Sequence, residues 1–142
     1  MRFVTLWVVL IAMSVLTNSC RKQQATDWKI DISIKNIGNI MLDEAAVKWG
    51  DFQVTAGFVA PSGEKVHVSF DHPIPETATI RYSLPDGRKI FKTVEVKKLV
   101  PAAAQKDKDM TVMFEVNSNN DEIAVKFLHF IQKDGYAQLV PF

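Results

Sequence analysis

Hydrophobic and polar residues alternate along much of the chain. The first clear case runs from Trp28 to Lys35, WKIDISIK, where every second residue is apolar. A side-chain period of two is typical of a β-strand with one buried face and one face in water. Five segments share this period: 28–35, 52–58, 66–70, 78–82 and 110–116.

Residues with turn chemistry separate these segments. Pro85-Asp86-Gly87 is the clearest case, because proline presets a negative φ and glycine accepts a positive one. We therefore predict a hairpin that joins a strand at 78–83 to a long strand over 89–99, whose outward residues are basic.

Weaker turn signals divide the rest of the chain. The segment 36–39, NIGN, ends the first strand, and the turn residues at 117–120 and 133–135 predict two further hairpins. Helical spacing is almost absent. Only residues 42–49 fit a short helix, and they fit a strand equally well.

Together these signals predict an all-β fold. Seven to nine strands spaced by about 8–12 residues are typical of an antiparallel β-sandwich, immunoglobulin-like or transthyretin-like. We expect one such domain over 28–142, with 89–99 as an edge strand. Residues 101–109, PAAAQKDKD, are longer than a hairpin needs. They predict a crossover between sheets, with an exposed functional loop as the alternative.

The first twenty residues have a different character. Arg2 is the only charge before an apolar run from Phe3 to Leu16. As a helix this run would cover about 21 Å, short of the ~30 Å hydrocarbon core of a bilayer. A short basic start, an apolar run of this length and small polar residues at 17–19 predict a cleaved signal peptide.

The position of the single cysteine, Cys20, resembles the acylation site of bacterial lipoproteins. The resemblance covers residues 1–20 and implies a signal peptide at 1–19, a lipidated Cys20 as the mature N-terminus and a polar tether over 20–27. Thr17 occupies the place three residues before the cysteine where leucine is usual. The alternative is a plain signal peptide cut before Cys20, which would leave a free thiol. Lipoproteins that stay in the inner membrane carry aspartate directly after the cysteine, whereas this chain has Arg21 there. The resemblance therefore favours the outer membrane.

Composition narrows the possible partners. The chain carries 17 basic and 16 acidic residues, so no overall field attracts nucleic acid. One cysteine excludes a disulfide framework and a cysteine-based metal site. Residues 88–109 hold seven basic side chains against three acidic ones. We interpret this excess as a solvated strand edge rather than a patch for lipid head groups.

Catalytic motifs are missing from the sequence. The best candidate for acid–base chemistry is His72 with Asp71 or Glu76, on a proline-rich loop, although a rigid solvated loop is the preferred interpretation. We expect His67 to be solvated and His129 to belong to the core. No metal site or cofactor is predicted, because zinc needs three or four ligands at set spacing.

Two further kinds of site were considered. The acidic pairs Asp43-Glu44 and Asp121-Glu122 could serve a glycosidase only if folding brought them together. Trp28 and Trp49 could stack on sugar rings. Each, however, occupies an apolar position in a segment where apolar and polar residues alternate, which favours a place in the core.

The predicted function is therefore a non-catalytic binding module, anchored to the membrane through Cys20 in the bacterial periplasm, with a protein as partner. At the level of architecture this resembles small uncharacterised lipoproteins of Gram-negative bacteria. Some of those act in the assembly of secretion machines and others as immunity factors. The alternatives are a periplasmic hydrolase that uses His72 and a carbohydrate-binding module.

Overall fold

The computed structural model describes residues 29–142 except 71, 107 and 108. The predicted signal peptide, Cys20, the tether and Trp28 lie outside the described residues. The strands are β1 (Lys29–Asn36), β2 (Leu42–Trp49), β3 (Phe52–Val59), β4 (Glu64–Phe70), β5 (Ala78–Ser83), β6 (Lys89–Val94), β7 (Asp109–Asn117), β8 (Glu122–Lys133) and β9 (Tyr136–Pro141), with a short helix α1 (Val96–Leu99).

The described strands form two sheets. One has five strands in the order β4-β1-β7-β8-β9 and the other has four in the order β3-β2-β5-β6. The prediction of an all-β sandwich is confirmed, with nine strands at the upper limit of the expected count. Alternating apolar residues from both sheets fill the core, whose largest fully buried side chains include Trp49, Tyr82, Phe114, Ile30, Ile32, Ile34, Leu42 and Ile80.

One strand pair departs from the antiparallel pattern. β1 and β7 run parallel, in register from Lys29↔Asp109 to Asn36↔Val116. Parallel neighbours need a connection that returns the chain to the same end of the sheet. Here the chain passes from β6 in the four-stranded sheet to β7 in the five-stranded sheet. The prediction that residues 101–109 belong to a crossover between sheets is therefore confirmed.

The ambiguous segment 42–49 is a strand. β2 pairs with both β3 and β5, and its register shifts between Asp43 and Ala46. Glu44 adopts a positive φ of 49° within this bulge. The bulge explains why the apolar residues of β2 do not alternate strictly, because the extra residue resets the parity.

The predicted strand over 89–99 is wrong in its second half. β6 ends at Val94, and residues 96–99 form one helical turn. Val96 is fully buried, and the Lys97 N–H donates to the Glu76 carbonyl at 3.4 Å. Burying Val96 turns the chain away from the sheet edge, so the strand cannot continue. β6 does lie at an edge of its sheet, as predicted.

The predicted parity of β4 is also wrong. The pattern placed Val66 toward the core and His67 outward, yet the register pairs His67 with Ile32 and Val66 with Ser33. Val66 is 51% exposed. A register shift after Ile30 adds one residue to β4, which reverses the alternation.

The strand directions give the sandwich two distinct ends. The proximal end is the one where β1 begins at Lys29, and it also holds the β2–β3 turn, residues 72–77, α1 and the β8–β9 turn. The distal end holds the connections at 37–41, 60–63, 84–88 and 118–121.

Candidate functional site

In the structure, His72 and Glu76 each contact a side chain from another element. The His72 ring stacks on Phe52, with ring centroids 3.5 Å apart and planes 20° apart. Glu76 instead pairs its carboxylate with Lys97. Asp71 lies outside the described residues. Within residues 29–142, leaving out 71, 107 and 108, no three His, Cys, Asp or Glu side chains gather as a metal site would require.

The other histidines occupy an edge and a half-buried position. His67 is exposed on β4. His129 is half-buried on β8, with its ring 4.4 Å from that of Phe142 in an edge-to-face contact. The prediction placed His129 in the core, whereas its side chain is half-buried and contacts Phe142, which packs against the core.

The two acidic pairs bind different partners at the distal end. Glu44 accepts a hydrogen bond from the Ser83 hydroxyl at 3.1 Å. Asp121 accepts one from the Tyr82 hydroxyl at 3.1 Å and also pairs with Arg88. Tyr82 and Ser83 are neighbours on β5 whose side chains point to opposite faces of the sheet. The pairs therefore do not form the joint carboxylate site of a glycosidase.

A network of hydrogen bonds and ion pairs joins four side chains at the distal end: Tyr82, Asp121, Arg88 and Asp86. Arg88 Nε lies 2.7 Å from Asp86 and Arg88 Nη1 lies 3.4 Å from Asp121. Burial of the Tyr82 phenol, reinforced by the Asp121 charge, raises the pKa of Tyr82 well above its usual range. The hydrogen bonds from the Arg88 side chain and backbone lower the pKa of Asp86, and those to Asp86 raise the pKa of Arg88. All three pKa shifts favour the protonation states that make these hydrogen bonds. This is typical of a network with a structural role.

A second distal network surrounds a fully buried asparagine. Asn36 Nδ2 donates to the Ile40 carbonyl at 2.7 Å and to the Val59 carbonyl at 3.3 Å, while Oδ1 accepts from the Gly38 N–H at 3.0 Å. The Ser118 hydroxyl accepts from the Ile40 N–H at 3.0 Å. These bonds join the connections of both sheets and satisfy backbone groups that the turn leaves unpaired.

The proximal end holds an open cavity. It has a volume of about 480 Å³ and is lined by Pro73, Ile74, Lys97, Val100 and Gln105. This volume is within the range of small-molecule pockets, although the cavity is open to solvent.

Trp49 fixes one wall of that cavity. Its indole is buried, and Nε1 donates to the Pro73 carbonyl at 3.0 Å. The prediction that Trp49 belongs to the core rather than to a sugar site is therefore confirmed.

The outer face of the four-stranded sheet carries an exposed aromatic residue that sequence reasoning missed. Phe91 on β6 is 64% exposed and lies directly opposite Arg81 on β5. The surface around this pair, here called the β6-edge surface, comprises Arg81, Ser83, Lys89 and Phe91 and borders Glu44. The one signal in the sequence is a phenylalanine on the otherwise polar parity of β6.

Comparisons with known proteins give no functional family. No protein-family model matches the chain. No curated protein matches it at a significant level. Among solved structures, the fold is similar to an NMR structure of a protein from Eubacterium rectale, with 17% identity and a TM-score of 0.49 over 70% of this chain and 87% of that one. No helix within the described part of the chain is long and apolar enough to cross a membrane.

Proposed function

We propose that the protein is a lipid-anchored, non-catalytic binding module of the bacterial cell envelope, held by an acylated Cys20 and facing the periplasm from the outer membrane. The observation that carries the anchor is the place of the single cysteine, directly after an apolar run and before the polar segment RKQQATD. Two or more acyl chains, at ~0.8 kcal/mol per buried methylene, would hold the chain firmly at the membrane.

The β6-edge surface is the proposed site for a protein partner. Phenylalanine and arginine are both enriched at the centres of protein interfaces, where a planar ring and a guanidinium each bury a large area. Phe91 exposes most of its ring on an edge strand, and Arg81 lies beside it on the next strand. With Lys89 also present, this surface favours a partner that presents an acidic group next to an apolar one.

The anchor is tested by metabolic labelling with a clickable fatty acid in a Gram-negative host. We expect the full chain to take up the label and to fractionate with the membrane, and Cys20→Ala to lose both properties. Thr17→Leu restores the usual residue three places before the cysteine and should increase the processed fraction. An unlabelled chain with a free Cys20 thiol would contradict the proposal.

The partner surface is tested by photo-crosslinking in the same host, with a photoreactive residue at position 93, which is exposed on β6 on the same face as Phe91. We expect a discrete adduct that disappears in Phe91→Ser. The matched control is Phe58→Ser, because Phe58 is 50% exposed on β3 at the opposite edge of the same sheet. Equal loss in both variants, or no adduct at all, would contradict this surface. We expect His72→Ala to leave the adduct unchanged, since the proposed role uses no histidine chemistry.

A further inference from the structure

The β8–β9 hairpin extends past the rest of its sheet at the proximal end. β7 pairs with β8 only as far as Thr111↔Leu128, and the remaining residues of β8 pair only with β9, from Leu128↔Pro141 to Lys133↔Tyr136. By this register Asp109, the first residue of β7, lies level with Phe130. The three further residues to Lys133 carry the hairpin about 10 Å beyond the start of β7.

Exposed apolar side chains lie on both faces of the hairpin. Phe130 and Leu139 lie directly opposite one another, and they are 58% and 38% exposed. Phe127, three residues before Phe130, belongs to the core, so this pair lies on the outer face of the five-stranded sheet. Tyr136, which is 75% exposed, and its cross-strand partner Lys133 lie on the other face. The outward-facing apolar pair suits the boundary between acyl chains and head groups.

The start of the described chain lies at the same end. β1 begins at Lys29, in register with Asp109. Eight residues, and so nine Cα–Cα steps, separate Cys20 from Lys29 in the sequence. Even a fully extended chain of that length spans only about 30 Å. An acylated Cys20 would therefore keep the projecting hairpin close to the bilayer surface.

From these observations we infer that the β8–β9 hairpin is a second membrane contact, which places the outward-facing Phe130 and Leu139 in the interfacial layer of the bilayer. This inference rests on the proposed acylation of Cys20. It adds an orientation to the anchor, because one point of attachment does not fix how the domain is turned, whereas a second contact holds the proximal end against the lipid. The β6-edge surface, on the outer face of the other sheet, then stands clear of the membrane plane.

An environment-sensitive fluorophore on the hairpin tests the contact. In the acylated protein the Cys20 thiol is occupied, so Gln132→Cys supplies one reactive thiol near the tip of β8. Reconstituted in vesicles of phosphatidylethanolamine and phosphatidylglycerol, a nitrobenzoxadiazole label at 132 should show blue-shifted, brighter emission than in water. The matched control is Glu122→Cys, exposed at the distal end of the same strand, which should show water-like emission.

A double variant tests the named side chains. Phe130→Ser with Leu139→Ser should lose the shift at 132, because position 132 lies on the same face as both residues. The control pair Ile37→Ser with Phe58→Ser removes exposed apolar residues elsewhere and should keep it. Because Phe130 and Leu139 are exposed, neither change should unfold the domain, and circular dichroism of each variant checks this.

Three outcomes would overturn the inference. Mass spectrometry of residue 20 separates the first two, and the detergent and dilution measurements identify the third. An acylated Cys20 with water-like emission at 132 would overturn the hairpin contact and leave the anchor standing. An unacylated Cys20 would remove both proposals. Emission shifted equally in detergent without vesicles, and diminishing on dilution, would assign the hairpin to a second copy of the chain instead of lipid.

Discussion

At the distal end of the sandwich buried polar side chains close the turns, whereas at the proximal end apolar side chains face outward. Asn36 is fully buried and bonds to three backbone groups. Tyr82 is buried and bonds to Asp121. At the proximal end, Leu99 and Tyr136 expose more than half of their surface.

The two ends therefore differ in what they contribute. A satisfied buried network stabilises one arrangement of the loops and offers little to a ligand, because its donors and acceptors are already used. Exposed apolar groups contribute little to folding and remain available for binding. We conclude that the satisfied networks of the distal end hold the two sheets together, whereas the exposed apolar groups of the proximal end remain available for contact, as does the β6-edge surface on the outer sheet face.

The largest loss of stability is expected from Asn36→Ala at the distal end. The change leaves the Ile40 and Val59 carbonyls and the Gly38 N–H without their buried partner. Each unsatisfied group costs ~1–3 kcal/mol, so we expect the free energy of unfolding to fall by about 3 kcal/mol, allowing for water entering the site. Urea unfolding measures this. Gln132→Ala, at an exposed proximal position, is the control, and equal losses would contradict the contrast between the ends.

Gly38→Ala should have the next largest effect, because the peptide at Gly38 packs directly on Ser118. A Cβ at position 38 would lie 2.5 Å from the Ser118 backbone nitrogen and would overlap the Ser118 hydroxyl. Relieving that overlap requires the 118–121 turn to move, at about 2 kcal/mol of stability.

The comparison for Gly38 is Gly135 in the β8–β9 turn. Gly135 has a φ of +82°, and a Cβ at this position would meet no atom within 4 Å beyond its chain neighbours. Gly135→Ala should therefore cost only the backbone strain, about 1 kcal/mol. If Gly135→Ala were the more harmful of the two in urea unfolding, close packing would not be the distinguishing feature of the distal end.

Trp49→Phe tests a polar restraint at the proximal end that is made by a buried side chain. The change removes the hydrogen bond from Nε1 to the Pro73 carbonyl and part of the buried ring. We expect a loss of about 1.5 kcal/mol. Hydrogen exchange should quicken in residues 72–77 and stay unchanged at 37–41. Faster exchange at both ends alike would show that the ends are not independent.

Much of the fold could be predicted because local alternation was strong enough. β1 and β5 alternate cleanly, since each has one face on the core. The failures have local causes that only the folded chain reveals. The bulge in β4 moved Val66 outward, and burial of Val96 ended β6 early. β7 was expected to be half-buried, yet Thr111 and Met113 on its second face are also buried in the middle of the five-stranded sheet.

The candidate sites were harder to predict, because they depend on distant partners. Residues 36–39 were predicted only as a turn. The bonds of Asn36 to Val59, and of Ile40 to Ser118, join residues 23 and 78 positions apart, for which no local pattern gives a signal. His72 was chosen as a candidate because acidic residues lie close to it in the sequence. In the structure its ring stacks on Phe52, and Glu76 forms an ion pair with Lys97. Phe91 was overlooked because one aromatic residue does not change the period of a strand.

The smallest effect is expected from Tyr82→Phe, which should cost about 1 kcal/mol at neutral pH through the lost bond to Asp121. This variant is useful because it changes how the free energy of unfolding depends on pH. The folded state raises the pKa of Tyr82 above its usual range, through burial first and the Asp121 charge second. Above about pH 10 the unfolded chain releases the phenol proton while the folded chain retains it, so this tyrosine makes the free energy of unfolding fall as pH rises.

The chain has two tyrosines, so Tyr136→Phe leaves Tyr82 as the sole phenol and serves as the parent for this measurement. Urea unfolding between pH 9 and 11 should show a steeper decline for this parent than for Tyr136→Phe with Tyr82→Phe, and the difference cancels the shared titration of lysines. Phenolate absorbance should stay absent in the folded parent at a pH where the unfolded parent shows it. If Tyr82 ionised in the folded protein near pH 10 with no loss of stability, the Tyr82–Asp121 contact would be open to water, and the distal end would be no more closed than the proximal one.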